Sequence, residues 1–170
     1  MRQILSLIVA VLLIGTGYAQ QLKIDATQAK VAFYFHGDKV DGTLSGFEGT
    51  IKFDPSTPSS AEISGSVKAG TINTGNKMRD KHLASSDFFH AEKFPEIRFR
   101  AVEVKKEGES YTVRGKLTIK DTPREELFKM SVKEGKLIFT STINSADYGI
   151  MEKKKREDSQ VDITIEIPLL

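Results

Sequence analysis

The residues best suited to chemistry crowd into one stretch, Asn73–Phe99, which reads NTGNKMRDKHLASSDFFHAEKFPEIRF. It holds two of the three histidines, His82 and His90, with Arg79, Asp80, Asp87 and Glu92 beside them. Asp80 and His82 stand two apart, as do His90 and Glu92, which puts each pair on one face if the segment is extended. Such pairs suit a metal ion or proton transfer. A zinc site, however, needs three or four converging ligands, and no H-E-x-x-H pattern is present. The chain has no cysteine, so thiol nucleophiles and disulfides are excluded. The G-x-S-x-G elbow of common hydrolases is absent, and Gly75-Asn76 lacks the rest of a phosphate-binding loop. Acid–base chemistry by Asp80, His82 and Asp87, or a metal site around His82 and His90, stays a secondary reading. A non-enzymatic role without cofactor or metal is the primary one.

The rest of the chain says what such residues are mounted on. Its 170 residues suit one domain. Arg2, the apolar run Ile4–Ile14 and the small residues Gly17 and Ala19 have the form of a secretory signal peptide over 1–19. The mature domain is expected over 20–170, exported to the periplasm or the medium, with no stable membrane insertion once the signal is cleaved. The 25 basic and 23 acidic side chains nearly cancel, which gives no footprint for a nucleic-acid partner. The basic run Lys153–Arg156 is flanked by acids and reads as a solvated loop; contact with an anionic surface is the alternative.

Alternation dominates the mature chain. Val161, Ile163, Ile165, Ile167 and Leu169 share one face, with Asp162, Thr164 and Glu166 on the other. Tyr111, Val113, Leu117 and Ile119 behave in the same way, as do Phe47, Ile51 and Phe53, and further sets around Phe33, Ile63, Phe128 and Phe139. Period two is the strand signal. Turn pairs at Asp41-Gly42, Asp54-Pro55, Gly75-Asn76, Glu107-Gly108 and Glu134-Gly135 divide these runs into eight or nine strands. One apolar and one polar face per strand fits a closed antiparallel barrel, which has no exposed edges.

Asn73–Phe99 is the long exception to alternation. Lys77–Ser85 is expected as a short helix capped by Asn76, and Asp87 as the cap of a second helical turn over Phe88–Ala91. Pro95 ends the segment before a strand over Glu96–Val104. A helical connection over Asn73–Glu92 is therefore expected across one mouth of the barrel, with Phe88 and Phe89 adding apolar surface to the plug or to the cavity beneath it.

The same residues carry a resemblance. Thr74-Gly75-Asn76, Arg79-Asp80, His82-Leu83, Asp87-Phe88-Phe89 and Phe94-Pro95-Glu96-Ile97-Arg98-Phe99 follow one another as in the YceI-like family. Val31–His36, Gly46–Pro55, Tyr111–Ile119 and Asp147–Ile150 extend the similarity along most of the mature chain. The resemblance implies a single all-β domain: an eight-stranded, lipocalin-like antiparallel barrel whose cavity takes an isoprenoid or another long-chain, fatty-acid-like amphiphile, for storage, transport or stress protection. It leaves a homodimer open. The chain departs from the family at Ser145, where Arg is common, and at Asp121–Arg124, where Gly followed by Thr-Lys is common. An altered cavity mouth follows if those positions face it.

The residues expected to point inward are Phe33, Phe35, Phe47, Ile51, Ile63, Val67, Phe99, Val113, Leu117, Phe139, Ile163 and Ile165. A small barrel either fills its interior or holds one ligand, so the alternative is a solid barrel that works through protein–protein contacts. Arg79 and His82 are the candidates for a ligand headgroup; a structural pair or cap is the competing role for each.

Overall fold

A computed structural model describes residues 22–151 and 153–170. The segment 1–19, expected from the sequence to be a signal peptide, lies outside these described residues. Eight strands follow one another: β1 (Lys30–Phe35), β2 (Val40–Lys52), β3 (Glu62–Asn73), β4 (Glu96–Glu107), β5 (Ser110–Ile119), β6 (Thr122–Lys133), β7 (Lys136–Asn144) and β8 (Gln160–Pro168). Each pairs antiparallel with the next, and β8 returns to β1, so the barrel closes. One eight-residue helix, α1 (Lys77–Ala84), interrupts the series between β3 and β4.

The connections sort the barrel into two ends. Residues 36–39, 74–95, 120–121 and 145–159 gather at one end, called upper here. The tight turns at Gly108 and Gly135 and the 53–61 loop form the lower end. There the N-terminal segment lies across the base. Leu22 N–H donates to the Phe53 carbonyl, Asp25 N–H to that of Pro168, and Ile24 bridges Leu169.

Inward-facing side chains make the two halves different. The lower half is packed solid by Phe53, Val104, Tyr111, Val113, Met130 and Leu137. The Phe53 and Tyr111 rings meet edge to face with centroids 4.7 Å apart, a favoured aromatic geometry. Above them Phe99 and Phe128 form a second edge-on pair at 4.9 Å. Over that layer the barrel is hollow.

Three sequence expectations are corrected. Asp41-Gly42 is not a turn; it lies inside β2, and the chain reverses at residues 36–39. Gly42 faces Phe33 across the ladder, and the space a Cβ would fill is taken by the Phe33 ring, 2.1 Å from that position. The glycine is there for the ring. No second helical turn forms over Phe88–Ala91; residues 86–89 make a turn, and His90 adopts φ 49°, which breaks helical geometry. Asp87 caps nothing and sits instead 3.5 Å from His82. Finally, β3 runs further than the alternation suggests, because its pleat has a fault, and β4 continues past the expected Val104 to Glu107. Val67, Ala69 and Ile72 are all buried, so the phase slips between Ala69 and Ile72. The β4–β5 register shifts between Ala101 and Glu103.

Candidate binding cavity

The hollow upper half is one cavity of about 170 Å3. Phe33 and Phe35 reach it from β1, Phe47 and Ile51 from β2, Ile63 and Val67 from β3. Phe99, Leu117 and Phe139 line it from β4, β5 and β7, and Ile163 and Ile165 from β8. Each is the inward member of an alternating pair, so one backbone pleat places them all. The lining is almost entirely carbon; the polar residues touching it are Ser64, Ser66, Arg98 and Ser145. Ser145 is satisfied, its hydroxyl donating to the Ser159 carbonyl at 3.0 Å.

Glycines set the room inside. Phe33 lies over Gly42, Phe47 over Gly49 and Gly65, and Phe99 over Gly115, each ring occupying the space of a missing Cβ. The rings thereby lie back against the wall instead of crossing the lumen.

The lid is built from the β3–β4 connection. The Asn76 carboxamide accepts from the Met78 and Arg79 N–H groups and starts α1. Gly75 before it adopts φ 74°, open to glycine at low cost. Asp80 accepts from both the N–H and the hydroxyl of Thr74. The Arg79 guanidinium returns to the Thr74 hydroxyl and carbonyl at 2.8 and 2.9 Å. Arg79 and Asp80 thus lock the helix to the end of β3. Leu83 is the one buried residue of α1, 6% exposed, and it lines the cavity together with Phe89 from the following turn.

Four candidates are not brought to the cavity. Val113 is fully buried, but in the solid half, below the Phe99–Phe128 layer. Arg79 is occupied by Thr74. His82 is solvent-facing beside Asp87, its ring edge-on to Phe88 at 4.8 Å. Phe88 packs on the outer side of the upper cluster with Leu117 and Tyr148 and does not reach the lumen. The three histidines lie apart: His36 bonds Asp162 at 2.8 Å, and His90 stacks edge-on against Phe94. Among the described residues no three acids or histidines converge as metal ligands do.

The structure also shows lining residues that were not among those expected to point inward. Val31, Leu44 and Val161 continue the inward faces of their strands; Ile72 and Ile97 lie beside the pleat fault and under the lid. Ile150 and Met151 come from the irregular β7–β8 connection, where no period exists to read. Ser145 and Asp121–Arg124, the two departures noted above, both lie at this upper end, the second in the β5–β6 turn and the start of β6.

One part of the upper wall is not strand. β6 and β7 pair only from Lys129–Thr140 to Lys133–Lys136. Above that point the turn Ser145–Tyr148 fills the space between them. The buried Tyr148 hydroxyl donates to Glu126 at 2.7 Å, and the Arg124 guanidinium donates to the Asp147 carbonyl. Asp147 also takes a two-point contact from Arg156 at 2.9 and 2.7 Å, and that hydrogen bonding holds its carboxyl below the usual range. Burial pushes Glu126 up, the Tyr148 hydrogen bond opposing it. Burial, then the Glu126 hydrogen bond, pushes the Tyr148 phenol up as well.

Comparison with known proteins places this geometry. The model of the YceI-like domain matches residues 22–169. Protein YceI of Salmonella newport is 32% identical over 110 residues, covering 62% of this chain and 58% of that protein. The match thus spans little more than half the length of that relative. The crystal structure of Burkholderia cenocepacia BcnA superposes with a TM-score of 0.75 at 20% identity, covering 85% of this chain and 98% of the other. A polyisoprenoid binding domain from Saccharophagus degradans, implicated in plant cell wall breakdown, gives 0.59 at 12% identity, covering 86% and 95%. At such identities the two structures speak for the fold alone.

Proposed function

The chain belongs to the YceI-like family, and from that premise we propose that it is a non-enzymatic carrier that holds the apolar chain of an amphiphile inside its barrel. The observation that carries this reading is the carbon-lined cavity, partly covered by Leu83 and Phe89 of the β3–β4 connection. A barrel selected only for stability has no reason to lay three phenylalanine rings over glycines and leave the space between them empty. The polyisoprenoid binding named for the Saccharophagus domain supports the same ligand class.

The cavity also bounds the cargo. A cavity of about 150 Å3 takes one benzene molecule, so 170 Å3 takes on the order of six carbon-sized groups. Burying about six CH2 groups contributes roughly 5 kcal/mol before association costs. An acyl or short isoprenoid chain of that length fits within the cavity. A longer chain requires the lid to move or the chain to project past it. Residues Phe33, Phe47, Phe99, Leu117, Ile163 and Leu83 are proposed to touch it. Export, read from residues 1–19, belongs to the same proposal, and so does the option of a homodimer.

The test is a titration of the mature protein with a fluorescent polyene fatty acid, followed by displacement with unlabelled acids and prenols of increasing length. Saturable binding is expected, with displacement strengthening steeply over about the first six chain carbons and less beyond them. Absence of saturable binding for every chain length would sink the carrier reading.

A further inference from the structure

The outer face of β3, β4 and β5 carries charge that the fold does not use. Arg98 and Arg100 lie two apart on β4 and so point outward side by side. The register sets Arg100 directly opposite Lys116 of β5. Like charges so placed are destabilising. Yet among the described residues none of the three has a carboxylate within ion-pair distance, and all three are exposed. Their neighbours are compensated throughout. Lys52 pairs with Glu62, Lys68 with Glu96 and Glu48, and Arg114 with Glu103 and Glu125. Glu125 stands opposite Lys116 in the register but gives its carboxylate to Arg114 at 2.9 Å. Arg98 lies close enough to Glu96 to help depress its carboxyl, but Lys68 holds that group at 2.8 Å.

The three cations line an open groove together with hydroxyls, Val102 and one carboxylate, Glu48, which lies 3.4 Å from Lys68. Ser66 and Thr118 lie opposite Arg98, Ser64 lies opposite Arg100, and Thr50 completes the rim. Gly49 and Gly65 contribute backbone to its lining; the side-chain positions they leave empty face the barrel interior. The groove lies outside the barrel. The β3–β4 ladder separates it from the cavity and is hydrogen-bonded without a break from Ser64–Arg100 to Lys68–Glu96. Two guanidinium forks, an ammonium and several hydroxyl donors around one hollow match a small ligand with several oxygens and two or more negative charges. A single carboxylate leaves most of that charge uncompensated.

We propose that this groove is a second binding site, for a phosphoryl group: a phosphomonoester or pyrophosphate, borne either by a soluble molecule or by a lipid headgroup at a bilayer surface. It does not depend on what the cavity holds.

The test uses the mature protein and the double variant R100Q/K116Q, whose altered side chains line the groove and not the cavity. Inorganic pyrophosphate is titrated calorimetrically at low ionic strength. Flotation with phosphatidylcholine vesicles containing phosphatidic acid, a lipid phosphomonoester, is measured in parallel. Binding of pyrophosphate to the wild type, weakened roughly tenfold or more in the variant, is expected. Pyrophosphate binding without flotation assigns a soluble phosphorylated ligand. Flotation that the variant loses, with or without pyrophosphate binding, assigns a lipid headgroup. No binding in either arm overturns the proposal, as does a variant that binds as well as the wild type. Thermal unfolding and polyene uptake of the variant should match the wild type, which separates failure here from failure of the carrier reading.

Discussion

Gly42→Ala addresses the cavity through a single methyl group. The added Cβ would lie 2.1 Å from the tip of the Phe33 ring, whereas ordinary contact begins near 3.4 Å. The ring must therefore shift by about 3.4 − 2.1 = 1.3 Å, and the lumen it lines is the open direction. Overpacking of this kind costs about 1–3 kcal/mol of stability. A ring displaced that far excludes roughly one or two methylenes of a bound chain. At about 0.8 kcal/mol each, affinity for a chain that fills the cavity falls by roughly 4- to 15-fold. A short chain that leaves room unfilled loses less. Gly135→Ala is the control. Its φ of 70° strains any side chain, but nothing lies within contact of the new methyl, and the site is the lower β6–β7 turn, away from the cavity. It should lower stability by about 1 kcal/mol and leave binding untouched. The assay is polyene displacement with saturated acids of graded length, alongside chemical denaturation of each protein. A folded Gly42→Ala protein that binds long and short chains as the wild type does would refute the assignment of Phe33 to the ligand site.

Further expectations concern the lid and the side wall. Asn76→Ala removes the cap of α1 and should cost about 1 kcal/mol, with faster amide exchange confined to α1 and faster release of cargo. His82→Ala, at an exposed position that does not reach the lumen, should change stability and binding by less than about 0.5 kcal/mol; a large loss of binding would restore His82 as a headgroup contact. Glu126→Gln should stabilise the protein at pH 7, because burial disfavours the ionised form and a carboxamide still accepts from Tyr148. The sign follows from a folded pKa above the ordinary one: the wild type is relatively more stable when Glu126 is protonated. The advantage of the variant therefore shrinks as pH falls through the carboxylate range. Its size at neutral pH stays below about 1 kcal/mol because the group is only half-buried. Denaturation midpoints of both proteins from pH 4 to 8 check it.

What the sequence made readable was the pleat. Where alternation is unbroken, as in Val161–Leu169 or Tyr111–Ile119, each inward residue could be named, and strand order in the closed barrel follows from short connections. Reading failed where the period is interrupted. Gly42 looked like a turn because Asp-Gly usually is one; its real partner, the Phe33 ring, is set by cross-strand register that no local pattern reveals. The slip between Ala69 and Ile72 hid the upper end of β3. It is bridged by Thr71, whose hydroxyl accepts from the Ser45 N–H and donates to the Lys68 carbonyl. Val113 alternates as perfectly as Leu117, yet one lies in solid core and the other beside the lumen. Alternation tells inside from outside but not height along the barrel axis. That height depends on which rings meet across the lumen, and here Phe99 and Phe128 set the floor. Likewise α1 has little amphipathic pattern, so nothing in it marked Leu83 as the residue that reaches the cavity.

The most direct test of the central claim is native mass spectrometry of the mature protein isolated from its own host, with organic extraction of whatever accompanies it. The account predicts a one-to-one adduct that survives gentle ionisation, dissociates on mild activation and proves on extraction to carry an apolar chain. A protein that arrives empty, and stays empty after incubation with fatty acids and prenols of every length tried, would contradict it.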